Sequence, residues 1–388
     1  MQAAQHCSRL RNSRGGRSPV PCPARNSDFR SPPLARPYRV DSPNFAPLRR
    51  PWADDSGMRV AAVRTWRRSA AAAVLIAVVA GQAFTDGLWN IPIRTLGGKQ
   101  VWADVAWHAG WRIQEHALTG HHRVLDPRDV RRAWGAEAAC RRVFERSARP
   151  VTVDGEHLVV LLHGLGRSRS SLARLERMLA AEGYAVAPVS YASTRRSVAG
   201  HADRIEKLLD GVRGPRRVSF VTHSLGGLVA REVLARDSDW KRRLELGRLV
   251  MIAPPSRGSA LAARAVRWPL VRGLLGPSLR DATPAGAREL PRPDCALGIV
   301  VGGRGDERGW CPLIPGDDDG VVGVEEARLD DVDSFLVVEG LHTFLAGNEA
   351  VIAAVREFLG NGRFTPASRT PRPAPSRTIQ ARRRGCIP

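Results

Sequence analysis

From residue 157 onward, short apolar runs alternate with stretches that carry apolar residues at helical spacing. The apolar runs are HLVVLL (157–162), AVAPVSY (185–191), VSFVT (218–222), RLVMIA (248–253), ALGIVVG (296–302) and SFLVVEG (334–340). The helical stretches lie at 170–182, 197–210, 225–236 and 347–359. This alternation predicts an α/β fold with a mainly parallel sheet and helices on both faces. Functional residues are expected directly after the strands, because ligands bind beyond the carboxyl ends of such sheets.

Two further regions have patterns of their own. Residues 254–294 form a long connection that contains Pro, Gly and Arg beside a partly helical pattern. Connections of this length are uncommon unless they are functional, so we interpret this one as a cap over the cleft. Residues 95–145 contain four tryptophans, of which Trp107 and Trp111 are four positions apart. That spacing predicts a helical segment that packs on the body of the protein.

The strand predicted at 218–222 is followed by the sequence HSLGG, which begins at His223 and opens a predicted helix. One interpretation is that the glycines only allow the chain to turn. The other is that Ser224 is a nucleophile on a sharp strand-to-helix turn, where the helix N-terminus stabilises developing negative charge. The sequence matches the pattern G-x-S-x-G, except that Thr222 stands in place of the first glycine.

A serine hydroxyl is a weak nucleophile at neutral pH, so it needs a histidine base and a carboxylate that orients this base. His342 follows the last predicted strand, within VVEGLHTFLAGN (337–348). An acidic cluster, GDDDGVVGVEEARL (316–329), lies between the strand at 296–302 and the last strand. Two other histidines have a structural interpretation. His163 belongs to a turn after the first strand, and His223 is expected to hydrogen-bond locally.

Taken together, the blocks HGLG, THSLGG, APPSRGS, DDDGVV and GLHTFL resemble those of α/β-hydrolases of the lipase and esterase type, in their order and spacing over about residues 95–360. The resemblance implies the α/β-hydrolase fold, with the cap between strands 6 and 7 in the conventional numbering of that fold. It assigns the nucleophile to Ser224, the base to His342 and the acid to Asp319. Asp318 is the next candidate for the acid, followed by Asp317. The oxyanion-binding amides implied by family position are those of Leu165 and Leu225.

The implied function is hydrolysis of carboxylic esters, of lipid or other acyl type, through an acyl-enzyme intermediate. An acyltransferase, a thioesterase or an amidase would use the same residues, and an inactive binding protein could keep the fold. The three adjacent aspartates could instead form a calcium site or a solvated turn. No pattern in the sequence calls for an organic cofactor or a metal.

The net charge of +22 suggests nucleic acid or an anionic membrane as a partner, but the charge is concentrated at the two ends of the chain. Residues 1–68 contain 14 Arg and 4 Asp, and residues 361–388 contain 7 Arg and no acidic residue. Both ends are rich in Pro, Arg and Ser, which predicts disorder rather than a core. Because neither a regular interleaving of aromatic and basic residues nor a binding motif supports it, we do not expect nucleic-acid binding.

Met58 begins a segment with a positively charged front and a short apolar run at 69–81. This layout is typical of a secretory signal peptide over 58–83, with an uncleaved membrane anchor or a buried Ala-rich helix as alternatives. We therefore expect a secreted, periplasmic or membrane-anchored protein, with membrane association through residues 69–83 as one outcome. Residues 1–57 are interpreted as a disordered basic extension or as sequence upstream of the true start.

The six cysteines show no C-x-x-C spacing, which argues against a zinc site. In an oxidising compartment Cys295 and Cys311 could form a disulfide. Isolated buried thiols are the other interpretation.

Overall fold

Ten strands lie in the residues that the computed structural model of the protein describes, which are 92–95, 99–148 and 155–364. The strands are β1 Trp102–His108, β2 Trp111–His116, β3 His122–Leu125, β4 Arg131–Gly135, β5 His157–Leu162, β6 Ala185–Val189, β7 Arg217–His223, β8 Glu245–Ile252, β9 Ala296–Gly303 and β10 Ser334–Glu339. Strands β5 to β10 form one parallel sheet in the order β10-β9-β8-β7-β5-β6. Each apolar run predicted as a strand is one of these six, so the predicted sheet is confirmed.

Helices cover both faces of the parallel sheet. The helices are α1 Glu137–Ala148, α2 Ala173–Ala181, α3 Val198–Gly211, α4 Leu225–Ala235, α5 Ala260–Ala265, α6 Pro269–Leu275, α7 Ser278–Asp281, α8 Pro284–Arg288, α9 Val324–Ala327 and α10 Glu349–Asn361. Helices α3 and α4 pack on one face of the sheet, and α2 and α10 pack on the other. Alternate residues of β5 point to opposite faces of the sheet. Leu158 and Val160 pack in the apolar core under α3 and α4, and Val159 and Leu161 pack in the core under α2 and α10.

The N-terminal region is a second sheet, and the helix predicted within residues 95–145 is wrong over most of that range. Strands β1 to β4 form an antiparallel sheet in sequence order. Trp107 and Trp111 lie on neighbouring strands of a hairpin rather than on one helix face. The two residues between β1 and β2, Ala109 and Gly110, both have positive φ, as a tight two-residue hairpin turn requires. The alanine at the first of these positions hid the turn, because Asn-Gly or Asp-Gly is the usual signal.

The cap predicted over residues 254–294 consists of the four short helices α5 to α8, which lie between β8 and β9. At the other end of the fold, α10 continues to Asn361, and Phe364 packs against Phe358 with ring centroids 5.1 Å apart. The folded chain therefore extends a few residues into the segment predicted as a basic tail.

Several predictions concern residues outside the described ones. The extension at 1–57 and the segment at 58–83 are among them, so the signal peptide and the membrane association through residues 69–83 stay predictions. In the described part of the chain, no helix combines the length and the apolar character that crossing a bilayer requires.

The cysteines of the described residues are free thiols. Cys140, Cys295 and Cys311 form no disulfide. Burial raises the pKa of Cys140 to about 12 and that of Cys295 to about 11. Neither thiol is therefore a thiolate at neutral pH. The interpretation as an isolated buried thiol holds for Cys140, whereas Cys295 and Cys311 are free but only partly buried.

Candidate active site

Ser224 lies on a sharp turn between β7 and α4. Its backbone has φ 54° and ψ −123°, a strained conformation for a residue with a Cβ atom. The turn is held because the Ser224 N–H donates a hydrogen bond to the carbonyl of Ile252, 2.8 Å away. Gly226 permits the close approach of α4 to β5, because a Cβ atom there would lie 2.4 Å from the carbonyl oxygen of Leu162. These contacts present the Ser224 side chain beyond the carboxyl end of β7.

Thr222 occupies the position where the pattern prefers glycine. Its side chain is fully buried, and the hydroxyl lies 3.4 Å from the carbonyl oxygen of Val250 on the neighbouring strand β8. A Cβ atom on Gly227 would lie 3.5 Å from this hydroxyl, which is an ordinary van der Waals distance. The Thr222 side chain is thus accommodated in the buried space between β7 and β8.

His342 and Asp319 are brought together at the carboxyl end of the sheet. Nδ1 of His342 lies 2.7 Å from Oδ2 of Asp319, and both side chains are buried. A carboxylate only accepts hydrogen bonds, so this contact assigns the proton to Nδ1 and leaves Nε2 as an acceptor. The other carboxylate oxygen of Asp319 accepts from the N–H groups of Val321 and Val322, 3.0 and 2.8 Å away. The carboxylate is thus fixed from both sides.

The three adjacent aspartates have separate structural roles. Asp317 accepts hydrogen bonds from the N–H groups of Arg304 and Gly305 at the end of β9. Asp318 is buried and accepts from the N–H groups of Cys311 and Gly320. Only Asp319 contacts His342, so the family-based choice among the three is the one that the geometry favours. Over the described ranges, no group of three or more His, Cys, Asp or Glu side chains could hold a metal ion.

His223 contacts the loop of His342, which the sequence did not indicate. Nε2 of His223 donates a hydrogen bond to the backbone carbonyl of His342, 3.0 Å away, although the two residues are 119 positions apart. The expectation that His223 bonds locally is therefore wrong. Complete burial lowers the pKa of His223 to about 3, so its imidazole stays neutral at physiological pH. His223 thus holds the backbone of His342 and does not compete with it as a base.

The HGLG loop packs directly against the turn of Ser224. A Cβ atom on Gly164 would lie 3.0 Å from the Cβ atom of Ser224, so a larger residue would require this turn to shift. His163 is buried and stacks on Tyr191, with ring centroids 4.1 Å apart. Its Nδ1 donates to the carbonyl of Gly164, and its Nε2 accepts from the N–H of Tyr191. Burial lowers the pKa of His163 to about 4. The predicted structural role of His163 agrees with this neutral, fully bonded state.

A cavity of about 320 Å³ contains Ser224 and His342 in its wall. The predicted oxyanion residues Leu165 and Leu225 line the same cavity. Leu225 is the first residue of α4, where a backbone N–H has no acceptor within its own helix. Most of the remaining lining is apolar and comes from the cap and from the loop after Asp319, namely Leu261, Ala262, Ala265, Leu275, Leu279, Ala282, Val321 and Val322.

Arg167 lies at the border of this cavity, and the sequence did not single it out. Its guanidinium donates to the hydroxyl of Thr343, 2.7 Å away, and so ties the HGLG loop to the loop of His342. Arg167 also lines a second, polar cavity of about 390 Å³ together with Lys99, Gln100 and three serines. The two loops that frame Ser224 are therefore connected directly, across 176 positions of sequence.

The parallel sheet, with Ser224 on the turn after β7 and His342 and Asp319 in contact beyond its carboxyl end, has the architecture of a hydrolase. The model of the protein family described as "Alpha/beta hydrolase family" matches residues 159–375, which is more than half of the chain. The chain therefore belongs to the alpha/beta hydrolase family, as its sequence blocks predicted. No curated protein sequence matches it.

Solved structures of similar fold include lipases and esterases at low sequence identity. A lipase of Bacillus licheniformis, BlEst2 in its mature form, is 15% identical, with 52% of this chain and 91% of that chain covered and a TM-score of 0.40. An esterase of Thermogutta terrifontis is 16% identical, with 54% and 92% covered and a TM-score of 0.37. The metagenomic carboxyl esterase MGS0156 is 18% identical, with 50% and 68% covered and a TM-score of 0.35.

Proposed function

We propose that the protein is a serine hydrolase that cleaves carboxylic esters with an apolar acyl part. The observation that carries this proposal is the buried contact of 2.7 Å between His342 and Asp319, at a cavity that also contains Ser224. Nucleophile, orienting acid and base come from the segments that follow three different strands, and they follow the order of this family along the chain. The same cavity has an apolar wall, which suits an acyl chain.

In the proposed reaction, Nε2 of His342 takes the proton of the Ser224 hydroxyl as Oγ attacks the ester carbonyl carbon. The tetrahedral oxyanion accepts hydrogen bonds from the N–H groups of Leu165 and Leu225. The bond from the carbonyl carbon to the alcohol oxygen then breaks, and His342 returns its proton to the departing alcohol. A water molecule repeats the sequence on the acyl-enzyme, which releases the acid and restores Ser224. Asp319 orients His342 and stabilises its charged form throughout.

The test is hydrolysis of 4-nitrophenyl butyrate and 4-nitrophenyl decanoate by the wild type and by matched variants. Ser224→Ala and His342→Ala are each expected to lower kcat/KM by about 10⁴-fold or more. Asp319→Asn is expected to cost about 10³- to 10⁴-fold, because Asn would favour the wrong tautomer of His342. Asp318→Asn is the matched control among the acids, and its activity should stay near that of the wild type. Hydrolysis that survives Ser224→Ala would exclude this mechanism.

The same assay separates the related functions. If product forms only when an alcohol acceptor is added, and not with water alone, the protein is an acyltransferase. Covalent labelling of Ser224 by an organophosphate without turnover of any ester would indicate thioester or amide substrates. Absence of both labelling and turnover would indicate an inactive binding protein. Extracytoplasmic localisation belongs to the same proposal, and N-terminal sequencing of the native protein tests it.

A further inference from the structure

Helix α6 lies in the cap and buries none of its residues. Trp268 at its N-cap is 69% exposed, and Leu270 and Leu274 within it are 85% and 72% exposed. Isolated apolar residues on a surface are ordinary, but three large ones within seven positions form a patch of the kind that marks an interaction surface. Val271 and Leu275 of α6 are half-buried and pack on the core, so they hold the helix in place. Trp268, Leu270 and Leu274 remain on the surface. These side chains therefore call for a partner.

Charge on the same segment points to the kind of partner. Residues 258–280 contain four arginines and no acidic residue. Arg264, Arg267 and Arg272 are exposed beside the three apolar side chains. We refer to these six residues, Arg264, Arg267, Trp268, Leu270, Arg272 and Leu274, as the cap surface. A partner that matches the cap surface must offer negative charge and apolar material within a few ångströms of each other.

We propose that the cap surface docks on an anionic lipid surface. Lipid phosphates would pair with the arginines, while the Trp and Leu side chains would enter the boundary between headgroups and acyl chains. Tryptophan is favoured at that boundary because its ring is amphipathic. A stable protein interface buries about 20–30 residues on each side, far more than this patch offers. A lipid surface needs no such area, because it adapts to a few inserted side chains.

The position of the cap surface connects docking to the cavity. Ala265, which ends α5, and Leu275, which ends α6, both line the cavity that contains Ser224. The segment that carries Trp268, Leu270 and Leu274 thus runs between two points of the cavity wall. Docking there would bring acyl chains to the cavity, and this consequence rests on the proposed function. The docking itself does not depend on catalysis.

The experiment is co-sedimentation of the full chain with phosphatidylcholine vesicles, with and without phosphatidylglycerol. The wild type should bind the vesicles that contain phosphatidylglycerol. The double variant Leu270→Ser/Leu274→Ser should bind about tenfold or more weakly, because two inserted side chains are lost. Leu118→Ser is the matched control, since Leu118 is 67% exposed but lies outside the cap. Binding that is absent in the wild type, or equal in all three proteins, would overturn the proposal.

Charge is tested by a second pair of variants, because basic sequence elsewhere in the chain also attracts anionic lipid. Arg267→Gln/Arg272→Gln should weaken binding by about fivefold for each arginine removed. Arg142→Gln/Arg177→Gln removes two exposed arginines of α1 and α2 and should change binding less. Equal losses in both pairs would mean that total charge alone causes binding. Circular dichroism of each variant confirms that it is folded.

Two further readouts separate this proposal from others. Hydrolysis of the soluble 4-nitrophenyl butyrate should be the same in the cap variants and the wild type. If the wild type hydrolyses no ester but binds vesicles through the cap surface, only the proposed function fails. If Leu270→Ser/Leu274→Ser changes the oligomeric state in analytical ultracentrifugation and leaves vesicle binding unchanged, the patch contacts a second copy, and lipid docking is wrong.

Discussion

The two sheets of this protein place polar side chains in opposite ways. In the antiparallel sheet of β1 to β4, charged and amide side chains are buried within the strands, among them Asp104, Gln114 and Arg123. Arg123 donates to Oε1 of Gln114, and Nε2 of Gln114 donates to Asp104, 2.7 Å away. Asp104 also accepts from the N–H of Ser190, directly beyond β6. This chain of bonds fastens the antiparallel sheet to the parallel one.

In the parallel sheet the strand interiors are nearly all apolar, and the polar side chains collect where the strands end. Ser224 and His342 follow β7 and β10 and remain in contact with a cavity. The difference shows how position decides what a buried polar group can do. Groups inside a sheet satisfy one another and stabilise it, whereas groups at the carboxyl ends keep atoms available for a ligand.

The parallel sheet should be most sensitive to a change in backbone packing. Gly226→Ala would put a Cβ atom 2.4 Å from the carbonyl oxygen of Leu162, so α4 would have to move away from β5. We expect a loss of about 3 kcal/mol in the free energy of unfolding, measured by urea denaturation, together with loss of ester hydrolysis. Gly360→Ala in α10 is the matched control. It meets no atom within 4 Å and should stabilise the protein by up to about 1 kcal/mol.

The antiparallel sheet should instead be sensitive to the loss of a buried acceptor. Asp104→Ala leaves the donors of Gln114 and Ser190 without this carboxylate, and we expect a loss of about 2 kcal/mol in the free energy of unfolding. Because Asp104 lies away from the cavity, kcat for 4-nitrophenyl butyrate should be unchanged below the unfolding transition. A change in kcat without a change in the free energy of unfolding would contradict the inference that Asp104 stabilises the fold and takes no part in catalysis.

A buried histidine in the loop after β5 should make stability depend on pH. The pKa of His163 is lowered to about 4 by burial, below the ordinary value of 6.5, so the unfolded chain binds a proton before the folded protein does. The stabilisation is complete above about pH 6.5 and is lost as the pH falls toward 4. His163→Phe keeps the stacking on Tyr191 and should reduce the pH slope of the unfolding free energy by up to about 1.4 kcal/mol per pH unit. An unchanged slope would show that His163 does not cause it.

The smallest expected effect concerns the hairpin turn between β1 and β2. Ala109 has φ 45°, which glycine adopts without strain, so Ala109→Gly should stabilise the protein by about 0.5 kcal/mol. Gly110→Ala is the opposite change. Gly110 has φ +82°, and a Cβ atom there would lie 3.1 Å from Cβ of Pro127, so we expect a loss of about 1 kcal/mol. Thermal unfolding measures both. Equal changes in the unfolding temperature of the two variants would contradict the positive φ angles assigned to Ala109 and Gly110.

Most of the parallel sheet could be predicted because each strand is a short apolar run and several crossovers are helices with their own period. The antiparallel sheet could not, since its strands contain buried Arg, Asp and Gln residues that interrupt the alternation of apolar and polar positions. The tight turn between β1 and β2 gave no usable signal either, because Ala109 stands where asparagine or aspartate is usual. Arg167 and Thr343 escaped prediction for another reason, because their contact joins two loops that are far apart in sequence.

The sequence by itself determined the strand order along the chain, the turn that carries Ser224, and the positions of the aspartates and of His342 after it. These follow from local patterns, in which the period of apolar residues and the positions of glycine restrict the backbone. The choice of Asp319 among three adjacent aspartates came from the family resemblance, and the tertiary structure shows its contact with His342. Only the tertiary structure decided that His223 holds the loop of His342 rather than its own turn. Such choices depend on how loops from different strands meet, and no local pattern encodes that meeting.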